Sequence, residues 1–252
     1  MRILVTNDDG VESEGLLALR RAISKLGDTL VIAPDHNWSA AGHTKTMHKP
    51  LRVTKVLMRD GEPAFACDGT PSDCVALSML GLAGEPPALV VSGINKGGNL
   101  GGDVTYSGTV AAAMESVVNA VPGIAVSLAS YRDWSFEVAA EFAASLAKRV
   151  LERGLPPNVL LNVNVPNVPK EELRGVVITR LGKRIYRDKL IERQDPFGRA
   201  YYWIGGDEPG GDAEEGTDIW AIANNYVSVT PIHMDLTDYS LVDSLKGWDL
   251  GL

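Results

Sequence analysis

What most constrains the fold of this chain is a repeating alternation. Short apolar segments rich in β-branched residues are each followed by a polar loop and then by a stretch of helical period. RILVT at 2–6 leads through an acidic turn into ESEGLLALRRAISKL, where Leu16, Leu19, Ile23 and Leu26 recur at helical spacing. Gly27 and Asp28 break that pattern before TLVIA at 29–33. ALVVSG at 88–93 runs through a glycine-rich loop into TVAAAMESVVNAV, which Pro122-Gly123 ends. IAVSLA at 124–129 precedes a helix from about Trp134 to Leu151, and VLLNVNV at 159–165 follows it. Continuously apolar strands separated by helices read as a doubly wound parallel sheet covered on both faces.

Other segments interrupt the rhythm. RVTKVL and PAFAC flank Asp60-Gly61 and predict an antiparallel hairpin beside the main sheet. Thr70-Pro71 reads as a capped helix start, with Asp73 either completing the cap or touching substrate. Beyond GVVITRLG, the segment YRDKLIERQDPFGRAYYWIGG predicts a β-rich excursion with a DPFG turn, spanning about 180–227 and suited to oligomerisation. GDEPGGDAEEGTD is acidic and glycine-rich, YVSVTPI returns to strand character, and Leu241, Val242 and Leu245 mark a terminal helix. The whole chain, 1–252, is expected to form a single domain with this elaboration.

Composition narrows the function. With 24 Lys or Arg against 32 Asp or Glu the net charge is −8, which excludes a basic nucleic-acid binder by composition, so no nucleic-acid duplex is an expected partner. The start MRILVTNDDG reaches Asp8 and Asp9 with no apolar secretory run, and no stretch approaches the roughly 18 apolar residues that cross a bilayer. Cys67 and Cys74 form no disulfide framework. A cytoplasmic protein without membrane attachment is the expectation.

Three loops carry the candidate chemistry. Asp8 and Asp9 sit where a parallel strand should end, the edge at which open α/β sheets bind ligands; adjacent carboxylates there suit a hard divalent ion. The bland alternative is an exposed acidic turn. APDHNWSAAGHTKT gathers His36, Asn37, Ser39, His43 and Lys45 after the second strand; the His pair is a weak zinc cue, and Ser39 alone could be an ordinary turn residue. SGINKGGNLGGDVTYSGT holds six glycines between Gly93 and Gly108. Asn95 offers a neutral oxygen ligand and Asn99 an amide, Lys96 could add positive charge, and Ser107-Gly108-Thr109 can aim hydroxyls and helix-terminal N–H groups at a phosphate. The alternative is a structural loop in which Ser107 or Thr109 only caps the next helix.

Familiar signatures are missing. There is no G-x-x-x-x-G-K-[ST], no G-x-G-x-x-G and no G-x-S-x-G, and Cys67 and Cys74 lack redox spacing and read as core residues.

Taken together, ILVTNDDG, APDHNWSA, CDGTPSDCV, VVSGINKGGNLGGDVTYSGTVAAAMES and YVSVTPIHMDLT resemble the SurE survival-protein family of metal-dependent nucleotidases over nearly the whole chain. The resemblance implies a Rossmann-like three-layer α/β/α core with a β-rich C-terminal extension used in homodimers or tetramers. It implies one divalent ion per subunit, Mg²⁺ or Mn²⁺, on Asp8, Asp9, Ser39 and Asn95, with the phosphate near Asn95, Asn99, Ser107, Gly108 and Thr109. The chain departs from the family pattern at GVESEGL, where histidine, alanine and proline commonly follow GV, and at His36, where arginine is common. Neither departure removes an implied ligand, and both bear on the mouth of the site.

The implied reaction is hydrolysis of nucleoside 5′-monophosphates, extending to 3′-monophosphates and short polyphosphate, with Asp8 and Asp9 catalytic and Asp9 orienting the attacking water. A covalent aspartyl phosphate is the mechanistic rival, but the adjacent acids lack the spacing linked to that chemistry. A noncatalytic nucleotide-binding regulator or an oligomeric binding protein is the alternative function.

Overall fold

The computed structural model describes residues 1–206 and 210–250. Strand β1 (Arg2–Thr6) is followed by α1 (Glu14–Ile23), β2 (Asp28–Pro34), the hairpin β3 (Val53–Leu57) and β4 (Pro63–Cys67), α2 (Pro71–Met79) and β5 (Leu89–Lys96). Then come α3 (Gly108–Val118), β6 (Gly123–Ala129), α4 (Glu137–Arg153), β7 (Val159–Pro166) and β8 (Gly175–Ile178). The remainder contains β9 (Arg184–Ile185), β10 (Asp188–Gln194), β11 (Ala200–Gly206), β12 (Gly210–Gly211), α5 (Asp218–Ala223), β13 (Tyr226–His233) and α6 (Tyr239–Leu245).

Nine strands form one sheet in the order β3-β4-β2-β1-β5-β6-β7-β13-β8. Alternation along each strand sends neighbouring residues to opposite faces. Ile3 and Val5 pack with Leu16, Leu19 and Ile23 of α1 and with the alanine stripe Ala139, Ala140, Ala143 and Ala147 of α4. Leu4 and Val90 face the other way, onto Cys74 and Val75 of α2 and Ala112 of α3. The small residues of α3 let it lie close to the sheet: a Cβ on Gly123 would meet Ser116 Oγ at 2.4 Å and the Ala113 carbonyl at 2.5 Å. Leu16 and Leu19 are fully buried, so trimming either to alanine would cost about 2–5 kcal/mol. Both cysteines are free and buried in the core, as their spacing predicts.

Local signals act as the sequence suggests. Ser13 caps α1 through Leu16 N, and Thr70 with Asp73 forms a reciprocal capping box on α2. Asp73 also accepts from Thr46 N, so its role in the structure is to hold a cap and a loop. Gly61 takes φ +83° in the β3–β4 turn, and Arg20 ties Asp60 of that turn to α1 at 2.5 Å.

Three expectations need correction. The hairpin is not beside the main sheet but part of it, because β4 pairs parallel with β2 through Ile32↔Phe65 and Ala33↔Ala66. Strand β5 does not stop at Gly93; it continues through an irregularity to Lys96. The sheet is also mixed: β13 inserts antiparallel to β7 and parallel to β8, so YVSVTPI is an interior strand. Between β8 and β13 the chain leaves the sheet for the predicted excursion, where, among the described residues, β10 and β11 pair only with each other and β9 pairs with β12. Asp207, Glu208 and Pro209 of the acidic segment lie outside the described residues, as do the last two residues of the domain expected over 1–252. The terminal helix forms as α6, with Leu241 and Val242 exposed. No helix among the described residues is long and apolar enough to cross a membrane.

Candidate active site

Parallel pairing of β1 with β2 and with β5 brings the carboxyl ends of three strands side by side, with Val5 opposite Val31 and Thr6 opposite Ser92. The loops that follow therefore share one edge of the sheet. Backbone bonds stitch the first two together: Val11 N donates to Pro34 O and Trp38 N to Asp8 O, both at 2.8 Å. Asn7 braces the acidic turn from within, donating to Gly10 O and to Ser13 Oγ.

Asp8 is buried, and Thr109 Oγ1 donates to its carboxylate. Helix α3 approaches so closely that a Cβ on Gly108 would lie 2.7 Å from Asp8 Cβ. Burial raises the Asp8 pKa from 3.8 to about 6, the Thr109 hydrogen bond opposes that rise, and the neighbouring Asp9 charge adds to it. Asp9 is also raised by burial, against the pull of Lys96. Its Oδ2 is buried with no hydrogen-bond partner, while Oδ1 faces Asn37 Nδ2 at 3.4 Å. Two adjacent carboxylates, one with an orphaned oxygen, face a single lysine, Lys96, and that leaves a deficit of positive charge a divalent cation would fill.

The irregularity in β5, between Ser92 and Asn95, carries Asn95 to the same edge. It requires glycine: Gly93 has φ +139°, and a Cβ there would strike Val126 O at 2.3 Å. Asn95 Nδ2 is spent on Gly97 O at 2.8 Å, leaving its carbonyl oxygen as the atom to offer a cation. Ser39 lies on the exposed second loop, its N–H held by Asn37 Oδ1 at 2.7 Å. Among the described residues no three His, Cys, Asp or Glu group together to hold a metal. Two carboxylates with neutral oxygens suit a hard cation instead. The His36–His43 zinc cue is not supported: His36 pairs with Asp35 and His43 with Glu115.

Asp8, Ser39, Asn95, Asn99 and Ser107 line one cavity of ≈ 350 Å³, together with Lys96, Asp103, Tyr106, Tyr131 and Tyr186. Asp9, Gly108 and Thr109 are not among the lining residues, and the last two contact Asp8 instead. Asn99 is largely committed inward: its N–H donates to Asn164 Oδ1, its Nδ2 to Ser127 Oγ, and its carbonyl accepts from Asn162 and Asn164. Ser107 caps α3 through Val110 N, so the structural reading of that hydroxyl holds even though it borders the cavity. Lys96 Nζ rests 4.4 Å over the Trp134 ring. A second cavity of ≈ 210 Å³ near Val117–Pro122 and Leu155–Val159 has no ionisable lining side chain, so it offers no comparable chemistry.

Sequence reasoning missed three supports. Glu115, 2% exposed at its side chain, holds His43 at 3.0 Å and Lys45 at 2.7 Å, clamping the second loop to α3. Asp218 accepts from Gly101 N and Gly182 N, joining the glycine loop to the C-terminal excursion. Arg184 pairs with Asp103 at 2.9 Å and donates to Tyr131 OH at 3.0 Å, while Tyr186 OH donates to Asp103. No local spacing announces such pairs, since the partners lie 36 to 117 residues apart.

Comparison with known proteins places the chain in a family. Residues 3–188 match the model of the family described as "Survival protein SurE". The chain is 55% identical to the 5′-nucleotidase SurE of Chloroflexus aggregans over 99% of both chains. It is 54% identical to that of Herpetosiphon aurantiacus over 98% of this chain and 97% of the relative. The crystal structure of the SurE protein from Aquifex aeolicus superposes with a TM-score of 0.83 at 43% identity, covering 98% of each chain. With a family match across most of its length and such identity throughout, this chain belongs to the SurE survival-protein family.

Proposed function

We propose that this protein is a metal-dependent phosphomonoesterase, a 5′-nucleotidase that releases phosphate from nucleoside 5′-monophosphates. The observation that carries the reading is the meeting of Asp8, Ser39 and Asn95, from three separate strand ends, on one cavity that also borders the start of α3. The relatives named 5′-nucleotidase, similar over their full length, support it. The sheet with helices on both faces is read as a Rossmann-like three-layer core, and the whole chain as one domain.

Asp8, Asp9, Ser39 and Asn95 would hold one Mg²⁺ or Mn²⁺ per subunit, and the orphaned Asp9 oxygen supports that fit. When bound, such a cation supplies positive charge against the charge developing on the phosphoryl oxygens. Asp9, the less buried acid, orients the attacking water and draws on its proton. Asp8 stays fixed by Thr109 and by the packing of Gly108. In this reading the phosphate lies near Asn95, Asn99 and Ser107, which border the cavity, and near the first turn of α3 at Gly108 and Thr109, where the helix N-terminus favours negative charge.

The reading extends to 3′-monophosphates and short polyphosphate as further substrates and to the cytoplasm as the compartment. It also includes assembly into dimers or tetramers through the excursion. The β10–β11 hairpin leaves Leu190, Phe197, Trp203 and Ile204 exposed, and a lone two-stranded ribbon is marginal in water until something covers it. Phosphate release from 5′- and 3′-monophosphates and polyphosphate, with chelated and Mg²⁺- or Mn²⁺-restored protein, tests the function. Turnover that survives full chelation would end this reading.

A further inference from the structure

The site described so far handles a phosphate and a cation but says nothing of how the rest of a nucleotide is held. Besides the residues already placed at the cation and phosphate, the cavity wall includes three tyrosines, Tyr106, Tyr131 and Tyr186. They come from three places in the chain: the turn before α3, the loop after β6, and the C-terminal excursion just after β9.

Two of these rings have their hydroxyls occupied. Tyr186 OH donates to Asp103, and burial together with that carboxylate pushes its pKa up to about 12, so it stays a neutral donor. Tyr131 OH accepts from Arg184, whose side chain is 8% exposed and paired with Asp103. The polar ends of both rings and the Asp103 carboxylate are thus consumed by one network. Yet Tyr131 and Tyr186 remain 49% and 44% exposed. Gly97, at φ +106°, brings backbone against the ring, with its missing Cβ only 3.1 Å from Tyr131 Cε1. A side chain there would displace the ring.

We infer that Tyr131 and Tyr186 are the specificity-determining residues that hold the nucleobase by their ring faces, with Tyr106 bordering the same subsite. The Asp103–Arg184 pair positions the two rings. This rests on the nucleotidase reading and deepens it: the C-terminal excursion supplies part of the substrate pocket of its own subunit. Aromatic faces recognise a base by stacking, which any base can supply.

The test compares a nucleoside 5′-monophosphate with ribose 5-phosphate, which has the same phosphate and sugar but no base. In Tyr131→Leu and Tyr186→Leu the ratio of kcat/KM for nucleotide over sugar phosphate should fall about tenfold each, mostly through KM, as expected for loss of one stacking contact. Tyr131→Phe and Tyr186→Phe, which keep the ring and lose only the hydroxyl that anchors it, should lower the ratio less than the leucine variants do. An unchanged ratio in the leucine variants overturns the inference. So does an equal fall in the phenylalanine variants, which would place the effect in the hydroxyl network. If the unmodified protein cleaves neither substrate with metal present, it is the nucleotidase reading that fails.

Discussion

Thr109 donates its hydroxyl hydrogen bond to Asp8 across 101 residues of sequence, and Gly108 beside it leaves no room for a methyl group against the same aspartate. Helix α3 therefore sets the position of the first acid. Gly108→Ala should displace Asp8 and lower kcat/KM by roughly a hundredfold, given the sensitivity of catalysis to displacements of about 1 Å. Far-ultraviolet circular dichroism should show the fold retained. A Gly108→Ala protein with normal kinetics would mean that Asp8 tolerates movement.

The buried Asp8 carries a pH signature in chelated protein. Its folded-state pKa, about 6, lies above the ordinary value of 3.8. The folded state thus binds the extra proton, and this favourable contribution is complete below the ordinary value and lost as pH rises through about 6. At pH 7 the ionised group costs on the order of 3 kcal/mol at most. Asp8→Asn should therefore melt higher than the parent at pH 7 in chelator, and the difference should vanish toward pH 4. Thermal melts across that range, with equal Tm at pH 7 as the contrary result, decide it.

Cation binding should follow the carboxylates. Asp9→Asn removes the charge of the acid whose oxygen is orphaned, so Mg²⁺ or Mn²⁺ affinity by calorimetry should fall by at least about tenfold, with phosphate release falling alongside. Unaltered affinity would remove Asp9 from the ligand set.

The Glu115 clamp connects core and loop. Its carboxylate is held below the usual range by His43, Lys45 and Asn119 in opposition to burial. That contribution is present above the ordinary carboxylate pKa and is lost as pH falls through the depressed value. Glu115→Ala should destabilise by about 1–3 kcal/mol, a modest figure because Lys45 and His43 are partly solvated. It should also free the loop bearing Ser39, seen as faster amide exchange over 37–46.

Assembly is expected to run through the excursion. Leu190 and Ile204 are directly opposed across β10 and β11 and are 72% and 81% exposed. Leu190→Asp with Ile204→Asp should shift the mass measured by light scattering toward the monomer. An unchanged mass would assign assembly to another surface.

The sequence by itself determined the α/β alternation, because periods of two and 3.6 residues are local properties of neighbouring side chains. It determined the capped start at Thr70, the tight turn at Gly61 and the two free core cysteines for the same reason. It also marked Asp8, Asp9, Ser39 and Asn95, since each follows or ends a recognisable strand. Only the tertiary structure decided what depends on contacts between distant segments. Strand β13 enters the interior of the sheet because β7 and β8 offer it paired edges on both sides, which no periodicity in YVSVTPI encodes. Thr109 turns to Asp8, Glu115 to His43 and Lys45, and Arg184 to Asp103 because folding leaves each polar group few other partners within reach. The sequence named the candidate residues; burial and packing decided which of them line the cavity and which hold the others in place.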